Sequence, residues 1–189
     1  MNILEQIAAK ARKGDTGMSL HYGFLYSCIV GIEFGSGFST HVILHALEET
    51  GGVLTSVDVT NYSDNPNVTD FSQNSDKWSF YHGNSNEMFA DEDVEFDQYD
   101  VILHDGSHVG SEVLVDLNNI YPYLKHDGIL ITHDTRHHTL GGGMMGAAEE
   151  FAKDKDLDMC TLPYGYGLTF FRNKGNLENP VNLTWRKSS

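Results

Sequence analysis

Histidine and aspartate residues cluster at two places in the sequence, and these side chains could move protons or bind a metal ion. An imidazole titrates near neutral pH, so a histidine beside a carboxylate can accept a proton from a substrate. Imidazole and carboxylate are also common metal ligands, and a large set could hold one or two divalent ions. The full set is His104, Asp105, His108, His133, Asp134, His137 and His138. The residue types alone leave both chemistries open.

A second group of residues has the composition of a nucleotide-binding loop. The segment Glu33-Phe-Gly-Ser-Gly37 is followed closely by Ser39 and Thr40. Two glycines permit a tight turn and a close backbone approach to a ligand, and Ser39 or Thr40 can cap the helix that follows. Asp58 lies about 20 residues beyond the loop, where an acid can hydrogen-bond a ribose. We therefore expect an adenosine-type cofactor here, with an ordinary strand-to-helix turn as the alternative.

Two features of this loop favour S-adenosylmethionine over a nicotinamide dinucleotide. The dinucleotide pattern requires a third small residue three positions after the second glycine, but Thr40 stands there. The carboxylate of Glu33 would repel a pyrophosphate, whereas it could accept hydrogen bonds from the ammonium group of the methionine part.

The elements that must position these residues alternate between strands and helices. Such alternation predicts an α/β fold, a Rossmann-like doubly wound sheet that is mostly parallel and ends in a C-terminal antiparallel hairpin. Ligands bind beyond the carboxyl ends of such strands, which is where the candidate residues lie. The predicted strands cover residues 28–34, 53–57, 78–82, 99–103, 128–132, 157–162 and 168–171, and the predicted helices cover 39–50, 110–124 and 142–154.

No repeat or linker divides the chain, so we expect a single domain. Residues 1–27 are predicted to form an N-terminal helical extension, 28–172 the Rossmann-like core and 173–189 a tail, with a polar loop at 60–77. The N-terminal helix carries Ile3 and Leu4 and could dock onto a second copy, so a homo-oligomer is one expectation.

Charge and composition restrict the partners. The formal net charge of −15 argues against a nucleic acid or an anionic membrane as the main partner. No apolar run is long enough to cross a bilayer, and the N-terminus is a poor secretion signal, so we expect a cytoplasmic protein. Cys28 and Cys160 lie in apolar, strand-like runs, which predicts buried free thiols. A small-molecule acceptor remains the expected partner.

Five segments, taken in order, carry a resemblance to a known family. Together they resemble class I S-adenosylmethionine-dependent methyltransferases, most closely the cephalosporin-hydroxylase-like and macrolide-sugar O-methyltransferase group. The likeness covers about residues 29–172 and implies the class I methyltransferase topology. The segments are Ile32-Glu-Phe-Gly-Ser-Gly-Phe-Ser-Thr40, Val101-Ile-Leu-His-Asp-Gly-Ser-His108, Gly128-Ile-Leu-Ile-Thr-His-Asp-Thr135, Gly146-Ala-Ala-Glu-Glu-Phe151 and Leu162-Pro-Tyr-Gly-Tyr-Gly-Leu-Thr-Phe170.

The resemblance implies a role for each candidate residue. The loop glycines would hold the methionine part of the cofactor, Asp58 the ribose, and Asn84 and Ser85 the adenine, where Asn84 replaces an aspartate of the family. The predicted cofactor-binding set is Glu33, Gly35, Ser36, Gly37, Ser39, Thr40, Asp58, Asn84, Ser85 and Asp105.

At the reaction end, the resemblance implies His108 as the general base, with Asp105 beside it as a second catalytic residue. A magnesium or manganese ion could bind to Asp105, His133 and Asp134, where His133 stands in place of the glutamate of metal-dependent relatives.

We therefore predict a methyltransferase that acts on a hydroxyl group of a small acceptor. One alternative is a metal-dependent hydrolase or lyase using the His/Asp residues, which would leave Glu33, the glycines and Asp58 without a role. The other is a non-catalytic S-adenosylmethionine-binding module, because the chain has little extra material from which to build an acceptor pocket.

Overall fold

A sheet of seven strands organises the part of the chain that the computed structural model describes, residues 31–64, 76–137 and 143–173. The order across the sheet is β3-β2-β1-β4-β5-β7-β6. Strands β1 to β5 pair in parallel, and β7 pairs antiparallel with both β5 and β6. The strands are β1 (Ile32–Phe34), β2 (Leu54–Asp58), β3 (Trp78–His82), β4 (Tyr99–His104), β5 (Leu124–His133), β6 (Leu157–Leu162) and β7 (Leu168–Asn173).

Helices cover both faces of the sheet, because side chains of a strand point alternately to opposite faces. On β4, Ile102 belongs to one apolar cluster, whereas Val101 and Leu103 belong to another. The first cluster contains residues of three helices, and the second contains one face of α1. The helices are α1 (Phe38–Thr50), α2 (Ser85–Ala90), α3 (Gly110–Ile120) and α4 (Met144–Asp154). The prediction of a doubly wound, mostly parallel sheet with a C-terminal antiparallel hairpin is confirmed.

Three local expectations were wrong. The helix predicted for 110–124 ends at Ile120, because Pro122 has no amide hydrogen to donate and lies in a 3-10 turn, Tyr121–Tyr123. Leu124, predicted to line that helix, begins β5. Helix α2 was missed altogether. The thiol of Cys160, predicted to be buried, is exposed on β6 at the edge of the sheet.

Other expectations concern residues that the structure does not describe. They are the N-terminal extension at 1–27, Cys28, most of the 60–77 loop, His138 and nearly all of the tail. Among the described helices, none combines the length and apolar character that crossing a membrane requires.

Candidate functional site

The glycine loop after β1 is shaped by a close approach to the end of β4. Gly35 has a φ of +87°, and a Cβ atom added to it would lie 2.2 Å from the carbonyl oxygen of Asp105. Only glycine tolerates both the left-handed backbone and that contact. Gly37 differs, because an added Cβ would meet no atom within 4 Å.

Glu33 lies beneath this loop and fixes its position through hydrogen bonds to side chains at the start of α1. Its fully buried carboxylate accepts hydrogen bonds from three hydroxyls, those of Ser39 (3.0 Å), Thr40 (2.5 Å) and Ser56 (2.6 Å). The Thr40 hydroxyl also accepts the backbone N–H of Gly37 at 2.9 Å. Burial raises the pKa of Glu33 to about 7, although the three hydroxyl donors oppose that rise. Glu33 therefore organises the loop through its neighbours.

Asp58, at the end of β2, joins the same loop to the next strand. Its Oδ2 accepts both the backbone N–H of Ser36 at 2.7 Å and the Ser36 hydroxyl at 2.9 Å. Its Oδ1 accepts the backbone N–H of Thr60 at 2.7 Å. The carboxylate is half-buried and stands at the edge of a cavity, where a lone pair of Oδ1 remains available for a ligand.

Asn84 caps α2, the helix that the sequence analysis missed. Its Oδ1 accepts the backbone N–H of Asn86 at 2.9 Å, and its own backbone N–H is donated to Glu87 at 3.0 Å. These reciprocal bonds form a capping box, and the spacing of Asn84 and Glu87 was the available signal. The helix has six residues, too few to show an apolar period.

Asp116 is a site residue that sequence reasoning did not identify. It lies on α3 and is almost completely buried. Its Oδ1 accepts the Ser85 hydroxyl at 2.5 Å, and its Oδ2 lies 3.0 Å from Nε2 of His104. The overlooked signal is a carboxylate on the same helix face as the buried Val113 and Leu117.

A cavity of about 460 Å³, here called the first cavity, lies beyond the carboxyl ends of β1 to β4. Six predicted cofactor residues line it, and Asp116 lines it as well. Glu33, Gly37, Ser39 and Thr40 do not line it, so direct contact of those four with a cofactor stays a prediction. The six lining residues are Gly35, Ser36, Asp58, Asn84, Ser85 and Asp105.

The His–Asp cluster, defined as Asp105, His108, His133 and Asp134, stands where β4 and β5 end. Nε2 of His108 lies 2.7 Å from Oδ2 of Asp134. Nδ1 of His133 lies 2.9 Å from Oδ1 of Asp105 and 3.0 Å from Oδ1 of Asp134. Asp134 has a φ of +56°, a conformation that few residues other than glycine adopt. Asp105 also lines the first cavity, so the cluster and the cavity share a wall.

Contact between these groups shifts their protonation. The hydrogen bond to Asp134, together with the charges of both aspartates, raises the pKa of His108 against the opposing effect of burial. Burial alone would lower the pKa of His133, but the hydrogen bond to Asp105 and the two negative charges raise it. Burial would likewise raise the pKa of Asp134, yet His108 and His133 hold it below its usual value. The cluster therefore favours imidazolium–carboxylate pairs.

Three members of the cluster could hold a metal ion. Asp105, His108 and Asp134 each offer a ligand atom, and those atoms lie within 4.8 Å of one another. The predicted metal set contained His133 in the place that His108 takes in this group. His133 instead contacts both aspartates through Nδ1.

A second cavity, of about 290 Å³, is lined by residues that directly follow the His–Asp cluster in the chain and by the start of α4. Its lining includes Thr135, directly after Asp134, and Gly143. Gly143 packs against Gly110, since a Cβ on Gly110 would lie 2.6 Å from the Gly143 carbonyl oxygen. The remaining lining residues are Arg136, His137, Met144, Met145 and Gly146.

Comparisons with known proteins agree with this architecture. A family model described as a methyltransferase domain matches residues 32–135. No curated protein sequence matches the chain.

Three solved structures share the fold. An O-methyltransferase from Bacillus cereus, in complex with S-adenosylhomocysteine (SAH), has a TM-score of 0.65 and 11% identity, with 89% of each chain covered. The SAH-bound methyltransferase PaMTH1 of Podospora anserina has a TM-score of 0.62 and 16% identity, covering 91% of this chain and 88% of that one. The MycE methyltransferase of the mycinamycin pathway, in complex with Mg, SAH and mycinamycin VI, has a TM-score of 0.63 and 13% identity, covering 95% of this chain and 57% of that one.

Proposed function

Because this chain belongs to the methyltransferase-domain family whose model it matches over residues 32–135, we propose that it moves a methyl group from S-adenosylmethionine to a hydroxyl group of a small acceptor. The observation that carries the proposal is the shared wall at Asp105. There a cavity lined by Gly35, Ser36 and Asp58 meets a histidine–carboxylate pair, His108 and Asp134.

The first cavity fits the methyl donor. Its volume of about 460 Å³ falls within the usual range for small-molecule sites. Ser36 and Gly35 would hold the methionine part, and the open lone pair on Oδ1 of Asp58 would accept a ribose hydroxyl. The open space beside Gly37 leaves the loop accessible to a ligand. When bound, the donor supplies the methyl group and leaves as SAH, its carbon–sulfur bond replaced by a carbon–oxygen bond on the acceptor.

His108 would act as the general base for the acceptor hydroxyl. Its Nε2 faces the Asp134 carboxylate, so in the neutral ring Nε2 carries the hydrogen and Nδ1 holds the free lone pair. Nδ1 therefore takes the acceptor's proton, and Asp134 stabilises the resulting imidazolium. Because the pKa of His108 is raised, the base-dependent rate should increase with pH through that pKa and level off above it.

The acceptor would enter from the second cavity, whose lining includes Thr135, the residue after Asp134, and Gly143, which packs against Gly110, two residues after His108. Arg136 is the one side chain with a fixed charge among the described lining residues, and none of those residues is acidic. This lining favours acceptors that carry no positive charge.

A metal-assisted version of the same reaction is the second candidate, favoured by the geometry of Asp105, His108 and Asp134. Two carboxylates and one imidazole suit manganese and, less well, magnesium. A bound ion would supply positive charge that lowers the pKa of the acceptor hydroxyl. His108 could not then serve as the base, so the two versions exclude each other.

Calorimetry followed by a turnover assay tests the proposal. Purified protein should bind both S-adenosylmethionine and SAH, and SAH should form when a panel of phenols and sugars is supplied as acceptors. No heat of binding with either ligand, on well-folded protein, would overturn the function. Activity that survives chelator treatment supports His108 as the base, whereas activity that returns only with magnesium or manganese supports the metal-assisted version.

A further inference from the structure

Ser85, Asp116 and His104 form a hydrogen-bonded chain that the proposed reaction does not use. We propose that Asp116 is a positioning residue that makes the Ser85 hydroxyl a hydrogen-bond acceptor toward the first cavity. The subsite at Ser85 would then bind a nucleobase whose exocyclic amino group donates to this hydroxyl. It would disfavour a nucleobase that has a carbonyl oxygen at the same ring position. This inference rests on the proposed function, since the ligand is the adenosyl part of the methyl donor.

The first step concerns the single proton of the Ser85 hydroxyl. That proton is donated to Oδ1 of Asp116 across 2.5 Å. The other oxygen within reach is Oδ1 of Asn84, at 3.3 Å, which is also an acceptor. Because a hydroxyl has one hydrogen and two lone pairs, a hydroxyl that donates to the protein can only accept from a ligand.

The second step concerns the orientation of the Asp116 carboxylate. Asp116 is 4% exposed and His104 is fully buried, so water cannot readily replace either partner. Oδ2 of Asp116 faces Nε2 of His104 at 3.0 Å, which leaves Oδ1 for Ser85. The His104 ring lies 5.8 Å from the ring of Phe34 in the apolar core. Each oxygen of the Asp116 carboxylate thus has its own donor, and these two hydrogen bonds fix the orientation of the carboxylate.

The third step places the base at this subsite. In the sheet, β1 and β2 lie between β4 and β3. The methyl group must lie near Asp105 and His108, at the end of β4, and the ribose near Asp58, at the end of β2. The base is then left with the part of the first cavity lined by Asn84, Ser85 and Asp116.

A pair of ligands that differ at one position tests the proposal. SAH carries the amino group of adenine, and S-inosylhomocysteine carries a carbonyl in its place. A site built to bond a ligand N–H discriminates strongly against an analogue that lacks it, so wild-type protein should bind SAH about tenfold more tightly or better. Calorimetry measures both dissociation constants.

Asp116→Asn should weaken or invert this preference. The amide oxygen would stay with the N–H of His104, and the amide NH₂ would turn to Ser85, which frees the serine proton to face the cavity. Ser85→Ala, a second variant that leaves the buried pair intact, should remove the preference by weakening SAH alone. Glu112→Gln removes a charge from the same helix and cavity wall and should leave the ratio of the two dissociation constants unchanged.

The outcomes separate this inference from the function on which it rests. Equal binding of the two ligands by wild-type protein, or a ratio that survives both Asp116→Asn and Ser85→Ala, would overturn the role of Asp116 while the methyltransferase function stands. Failure of SAH to bind at all would overturn both. If Asp116→Asn does not fold, the ratio measured for Ser85→Ala decides.

Discussion

The first cavity and the His–Asp cluster are both built on carboxylates, but the carboxylates have different partners. Around the cavity, Glu33 and Asp58 accept hydrogen bonds from hydroxyl and backbone N–H groups. In the cluster, Asp105 and Asp134 contact imidazoles. Hydroxyl and amide donors keep their protons across the physiological pH range, whereas imidazoles do not.

Under the proposed function, this difference would separate binding from chemistry. The hydroxyl and backbone N–H donors to Asp58 do not titrate, so they hold the glycine loop in one arrangement at any physiological pH. A constant arrangement suits a site that must recognise a ligand. The cluster couples two imidazoles to two carboxylates, so its charge can change with pH, which suits the proton transfer of the proposed reaction. The Glu33 carboxylate, buried beneath the loop and outside the cavity lining, is pH-sensitive as well, because its burial raises its pKa to about 7.

The strongest test of this separation is His108→Ala. Loss of a general base typically costs roughly 100- to 10,000-fold in turnover, while SAH affinity should stay near the wild-type value. The control is His45→Ala on α1, which removes another carboxylate-paired histidine, outside both cavities. A matching loss of SAH binding in the His108 variant would show that the two regions are not separate.

Because Glu33 is buried and its pKa is raised, we predict that the free energy of unfolding depends on pH. Its folded pKa of about 7 exceeds its usual value of 4.5, so its contribution to stability is fully present below pH 4.5 and is lost as the pH rises through 7. At about 1.4 kcal/mol for each pKa unit, the loss is about 3 to 4 kcal/mol.

Glu33→Gln should remove this loss. Urea unfolding at several pH values would show wild-type stability decreasing, relative to the variant, between pH 4.5 and 7. Glu95→Gln removes an exposed carboxylate and serves as the charge-matched control. Parallel stability curves for wild type and Glu33→Gln would contradict the expectation.

Asp58→Asn should weaken SAH binding and leave the rate of methyl transfer nearly unchanged. It weakens bonds to Ser36 and to the ribose, and hydrogen bonds to a charged group contribute about 1.5–3 kcal/mol, so SAH affinity should decrease roughly 10- to 100-fold. Turnover at saturating methyl donor should change little. Asp64→Asn, in the nearby turn, controls for the lost charge, and a large decrease in saturated turnover would place Asp58 in the chemistry.

Asn84→Ala should have the smallest effect. Removing the α2 cap should lower the free energy of unfolding by about 1 kcal/mol. If Asn84 serves chiefly as a cap, SAH affinity should change less than in Asp58→Asn. Unchanged stability combined with a large loss of affinity would assign Asn84 to direct recognition of the base.

Much of the fold followed from local patterns in the sequence. Within the described residues, apolar runs and helical spacing located each strand and the three longer helices, because each long element must turn a periodic apolar surface toward the core. The six-residue helix α2 was not predicted. Its sequence signal is the capping box of Asn84 and Glu87, because the helix is too short to show a periodic apolar pattern. The end of α3 was missed because Pro122 was outweighed by the apolar spacing that continues to Leu124.

The candidate residues were predictable for a similar reason, but their partners were not. Side chains that follow parallel strands gather at one edge of the sheet, so residues such as Asp58, Asp105 and Asp134 could be identified from position alone. The hydrogen-bond partner of each side chain depends on contacts between segments that are distant in the sequence. His108 and Asp134 are 26 residues apart, and their bond depends on how β4 and β5 are paired.

By itself, the sequence determined the alternation of elements, the glycine loop and the set of polar residues at the strand ends, because these follow from periodicity and chain direction. Only the tertiary structure decided that Glu33 lies beneath the loop, that Asp105, His108 and Asp134 form a group at ligand distance while His133 contacts both aspartates through Nδ1, and that Asp116 reaches Ser85. Burial and long-range hydrogen bonds arise from packing, and packing has no signature within a single segment.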